Sequence, residues 1–124
     1  MTKTRLSLSI VVGLVLMLTL PAWADFQEGL DAYKRGDYDT ALKEWRPLAD
    51  QGLAAAQNNL GAMYINGEGV RRNYVRAYMW LSLAAKQGYK RAVSSQGQLE
   101  REMTPGELAK AERFAREWTP KGRE

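Results

Sequence analysis

The sequence predicts an all-α fold: an α-solenoid of stacked antiparallel helix pairs, about two and a half repeats in six helices, after an N-terminal signal peptide. Three observations carry this. Apolar residues recur at i, i+3, i+4 and i+7, the spacing of one helix face, as in Phe26, Leu30 and Tyr33. Turn and capping signals separate these stretches at Gly36-Asp37, Gly52, Gly88 and Thr104-Pro105-Gly106. Residues also recur 36 positions apart: Ala41 as Ala77, Ala49 as Ala85, Gln51-Gly52 as Gln87-Gly88, Ala56 as Ala92 and Gly61 as Gly97. A period of this length marks helix pairs that cannot bury their apolar faces alone.

The chain opens with a cationic start (Lys3, Arg5), a mostly apolar run from Leu6 to Leu20, and Pro21-Ala22-Trp23-Ala24 ahead of Asp25. Charge, apolar stretch and A-x-A in this order read as a signal peptide over residues 1–24, cleaved after Ala24. The run ends at a proline and is shorter than the roughly 20 residues of a membrane span, so no stable span is expected after cleavage. The expected destination is a bacterial periplasm. A repeat domain over 25–119 and a charged tail over 120–124 follow.

Within the domain the first helix is expected from about Phe26 to Arg35. The second runs from Tyr38 to Gln51 with Ala41, Leu42, Trp45 and Leu48 inward. Pro47 inside it removes a hydrogen bond and should bend it, and Gly52 ends it. The third spans Ala54 to Asn66 and the fourth Tyr74 to Gln87. Between them Gly67 and Gly69 flank Glu68 and can take positive φ without a Cβ clash. The fifth is expected from Lys90 to Met103. The sixth opens on a capping box, Thr104 to Glu107, with proline at the first helical position, and runs to Trp118, burying Leu108, Ala111, Ala115 and Trp118.

The stretch from Ala54 to Ala92 carries Ala54, Ala56, Gln57, Leu60, Gly61, Met63, Tyr64, Gly67, Gly69, Val70, Ala77, Trp80, Ala84, Ala85 and Gly88. At these positions it resembles the Sel-one-like repeat family, a relative of the tetratricopeptide repeats. Gly29 to Ala41 is shorter than Gly61 to Ala77, so the first unit has the short tetratricopeptide-like turn and the second the longer Gly-x-Gly-Val turn. In the third unit Gln96 stands where Leu60 stood and Glu100 where Tyr64 stood, which reads as a degenerate, capping repeat.

The 124 residues include no cysteine and no histidine. This excludes disulfides, Cys/His zinc sites, cysteine nucleophiles, Ser-His-Asp arrangements and a lipidated N-terminal cysteine. The formal charge of +4 would fall to +2 once Lys3 and Arg5 leave, too little for a nucleic-acid surface. Gly67-x-Gly69 follows no strand and precedes no Lys-Ser/Thr, so it is a turn and not a phosphate loop. Asp37/Asp39 and Glu100/Glu102 read as capping or solvated acids rather than a catalytic pair. No catalytic residue, cofactor or metal is expected.

The expected function is a non-enzymatic protein- or peptide-binding module, a periplasmic adaptor or scaffold. The resemblance implies such binding, and in solenoids of this type the first helix of each pair lines the concave face. Gln57, Leu60, Gly61 and Tyr64 should point inward, so Asn58, Asn59, Ala62 and Ile65 are expected to project onto that face. Arg71 and Arg72, with Arg76 and then Lys90 and Arg91 close in sequence, form a basic stretch that reads either as a solvated edge or as a docking patch for an acidic partner or for anionic envelope components. Two alternatives belong to other classes: a peptidoglycan- or carbohydrate-directed envelope protein, and a structural protein that pairs with its own copies through the open end formed by Phe26, Leu30 and Tyr33.

Overall fold

The structure, a computed structural model, describes residues 22–121. The cationic start and the apolar run of the expected signal peptide lie outside them. Six helices and no strand occur among the described residues. They are α1 (residues 22–34), α2 (Tyr38–Asp50), α3 (Ala54–Asn66), α4 (Tyr74–Lys86), α5 (Lys90–Glu100) and α6 (Pro105–Glu117). They pack in successive pairs as an α-solenoid.

The 36-residue period extends into the backbone chemistry of the helix ends. Asp37 caps α2 by accepting from Thr40 N at 3.2 Å, and Asn73, 36 positions on, caps α4 by accepting from Arg76 N at 3.0 Å. The Asp37 carboxyl is thereby held below the usual carboxylate range, with the nearby Arg35 adding to the effect. In contrast α3 and α5 start at Leu53 and Tyr89, again 36 apart, with no side-chain cap. Helix α6 has the full capping box expected of Thr104 and Glu107.

Pro47 lies inside α2, where it has no N–H to offer the carbonyl one turn earlier. Both Pro47 and Lys43 are exposed, so water can reach the unpartnered carbonyl. Backbone N–H groups of the following turn reach the carbonyls of Pro47, Leu48 and Ala49 at the end of α2, and glutamines add to them there and at Gly52 just beyond. The fully buried Gln57 donates to Ala49 O at 3.1 Å. Gln87 donates to Gly52 O at 2.9 Å and to Gln57 Oε1 at 3.0 Å. This chain ties the ends of α2, α3 and α4 together.

Two glycines act as seats for large side chains. A Cβ at Gly29 would overlap the Trp45 indole, which is 1% exposed and donates Nε1 to Phe26 O at 3.1 Å. A Cβ at Gly61 would lie 2.8 Å from Leu81 Cγ and 3.2 Å from Ala77 O, so α3 and α4 approach closely there.

The long turn between α3 and α4 also has a structural role. Gly69 has φ +69°, and a Cβ on it would come within 2.8 Å of Leu42 Cδ1 and 2.9 Å of Tyr38 Cβ. The turn therefore lies on α2. Glu68, one residue earlier, accepts from Tyr33 OH at 3.0 and 2.8 Å through its two oxygens. The insertion that lengthens the second unit thus fastens it to the first.

Helix α5 ends at Glu100, three residues short of the expected Met103. Met103 is still buried, because it precedes the Thr104 cap in the position of a hydrophobic staple to Leu108. Gln96 and Glu100 bond to α4 in place of apolar packing: Gln96 donates to Ser82 Oγ at 3.1 Å, and Glu100 accepts from Tyr78 OH at 2.6 Å.

Candidate functional site

Residues of α3, the start of α4 and α5 form a shallow hollow of about 230 Å³, lined by Ile65, Tyr74, Ser95, Gln98, Leu99 and Glu102. Ile65 is the expected site residue that the hollow includes. Asn59 and Ala62 are half-buried along the same helix. Asn58 corrects the expectation that it projects outward: it is 8% exposed and belongs to the interior. Asn58 precedes Gly61 by one turn on the same helix face, where α4 comes closest. Its Nδ2 donates to Asn59 Oδ1 at 3.4 Å.

The arginine edge divides. Arg71 and Arg72 are exposed on the turn before α4, and the Arg72 guanidinium stands 5.1 Å from the Tyr74 ring centroid. Because Tyr74 lines the hollow, Arg72 borders it. Arg76 lines a different cavity.

That second cavity, of about 520 Å³, lies between α2 and α4 over a floor from α3. Arg46, Asp50, Leu60, Tyr64, Arg76, Met79, Trp80, Trp118 and Lys121 line it. It is closed at one end by the segment after α6, which runs back to α2: Lys121 N donates to Asp50 O at 2.7 Å. Trp118 meets Trp80 edge-on, with centroids 6.3 Å apart. Trp118 also walls a neighbouring cavity of about 450 Å³ with Gln51, Gly52, Leu83 and Gln87. Its Nε1 is the one buried side-chain donor without an acceptor among the described residues. In sequence Trp118 is part of the apolar face of α6, and no local pattern groups Arg46, Asp50 and Lys121.

Of the acids weighed for catalysis, Asp37 is a helix cap and Glu100 receives the Tyr78 hydroxyl, while Asp39 and Glu102 are exposed; Glu68 likewise receives the Tyr33 hydroxyl. Burial and these carboxylates push Tyr33 and Tyr78 each up to about 12. Asp25, Glu28 and Glu44 bring carboxylate oxygens within 4.8 Å of one another, two of the residues exposed and one half-buried. Solvated acids adopt such an arrangement freely, and it defines no metal site.

The fold is that of a helical-repeat protein with grooves on its surface and its polar groups engaged between helices. Residues 54–89, the α3–α4 pair with its flanks, match the family model of the Sel1 repeat. A curated relative, the exopolysaccharide production negative regulator of Rhizobium meliloti (strain 1021), is 36% identical over 66 residues, 53% of this chain and 25% of the relative. The chain thus spans about a quarter of that protein's length.

Proposed function

We propose that this chain is a non-enzymatic protein- or peptide-binding module, acting as an exported adaptor or scaffold in the periplasm. Sel1 repeats mediate protein–protein interaction, which supports the binding role. The matched relative is by its description a negative regulator of exopolysaccharide production, and a regulatory adaptor is consistent with that. The observation that carries the reading is the hollow between α3 and α5. It offers the apolar Ile65 and Leu99 beside the hydrogen-bonding Ser95 and Gln98, the mixed chemistry that a peptide or partner helix needs.

Export rests on the leader pattern of residues 1–24. Cleavage after Ala24 would remove Trp23, whose ring is 65% exposed, and leave Trp45 seated on Gly29. No helix among the described residues is long and apolar enough to cross a membrane.

A photo-crosslinking amino acid at Ser95 or Gln98, in the native cell, should give one discrete adduct that an exposed α6 position, Glu112, does not give. Equal labelling from all three positions would overturn the placement of the site. Amino-terminal sequencing of the periplasmic fraction should start at Asp25. Full-length chain in the cytosol would overturn export.

A further inference from the structure

We propose that the furrow between α2 and α4 is a second binding site, one that takes an acidic peptide segment, its carboxylate held by Arg46, Arg76 and Lys121. The proposal rests on the peptide-binding reading but uses none of the residues of the α3–α5 hollow. Arg46 comes from α2, Arg76 from α4 and Lys121 from the segment that crosses between them, so three cations from three elements meet at one cavity. The acid among its lining residues is Asp50, which leaves the lining at +2. Among the described residues the one ion pair within 4.0 Å is Arg35–Asp37 at 3.6 Å, so none of the three cations forms a salt bridge with a described neighbour. Guanidinium forks match a carboxylate in two-point geometry.

The surroundings favour a peptide over a polyanion. Half-buried Met79, with the small exposed parts of Tyr64 and Trp80 beside it, suits an apolar side chain next to the acid. A volume of about 520 Å³ lies in the roughly 300–1,000 Å³ range of ligand sites. A lipid surface or charged polymer is held by many cations along an extended face, whereas these three surround one hollow that also contains an acid.

The test uses the purified chain and two arrays of acetylated, amidated fluorescent hexapeptides, one with Glu-Glu beside Leu and one with Gln-Gln in the same places. The Glu array should give binders about tenfold or more tighter than their Gln counterparts, weakening as salt rises. Arg46→Gln and Arg76→Gln should each lower that affinity about tenfold with the melting temperature unchanged, since both arginines are exposed. Arg76→Lys should fall between. Equal binding of the two arrays, or binding that both glutamine variants retain, overturns the proposal. So does arginine-dependent binding of phosphatidylglycerol vesicles stronger than that of any peptide, which would make the ligand a lipid surface. Crosslinking from Ser95 and Gln98 reads the other face, so each proposal can fail without the other.

Discussion

At positions 36 residues apart, Leu60 and Gln96 face α4 from α3 and α5 with opposite chemistry. Leu60 is fully buried, while Gln96 is half-buried and donates to Ser82. The same contrast holds for Gly61, wedged against Leu81, and Gly97, with nothing within 4 Å of a Cβ built on it. Likewise Tyr64 is in the core, whereas Glu100 is exposed and receives the Tyr78 hydroxyl. One template therefore serves two ends. With apolar and small residues at these positions it makes an interior pair that neighbours can cover on both sides. With polar residues it makes a terminal pair whose outer face meets water, which is what a capping repeat requires.

The largest effect should separate the two units directly. Leu60→Ala removes a side chain that is 0% exposed and should cost about 2–5 kcal/mol. Gln96→Ala gives up one partly exposed hydrogen bond and should cost about 1 kcal/mol or less. Urea denaturation of both variants checks this through the shift in midpoint. Equal costs would mean that α5 is as much core as α3.

Next in size is Gly61→Ala. The new methyl would sit 2.8 Å from Leu81 Cγ and 3.2 Å from a backbone oxygen, so α3 and α4 must separate slightly. Overpacking of this kind costs about 1–3 kcal/mol, partly offset by the better helix propensity of alanine. A variant as stable as the parent, by the same urea assay, would show that the helix contact is loose.

The period and the small-residue contacts were legible because a solenoid repeats its local geometry, and Ala41/Ala77 and Gln51/Gln87 mark that repetition in one dimension. The caps Asp37 and Asn73 obey the same period. The position of Asn58 was harder to read. A helix wheel divides inward from outward by one partner, whereas α3 packs between α2 and α4 and so buries more than one stripe. The α2–α4 furrow had no linear signal. Arg46 and Arg76 are 30 residues apart and Lys121 lies 45 further on, so only the stacking of helices and the returning C-terminal segment bring them together.

A smaller effect tests the ties between units. Tyr33–Glu68 joins the first unit to the second and Tyr78–Glu100 joins the second to the third, and both phenols are pushed up to about 12 from an ordinary 10.0. The unfolded chain then loses these protons first. The stability they contribute is complete below pH 10 and is lost as pH rises from about 10 to about 12. Tyr33→Phe and Tyr78→Phe should each cost about 1 kcal/mol at neutral pH and flatten the alkaline decline. An unchanged decline in the double variant would assign it to other groups.

The smallest effect has the opposite sign. Gly97 lies within α5 with an open surface around it, and it is exposed. Alanine there meets no atom, restricts the unfolded chain and favours the helix, so Gly97→Ala should stabilise by about 0.5–1 kcal/mol. Gly61→Ala makes the identical chemical change 36 residues earlier and should destabilise. The two signs come from one cause, the presence of α4 beside Gly61 and of solvent beside Gly97. If Gly97→Ala also destabilised, a surface would have to cover α5 in solution, and the third unit would be an interface and not a cap.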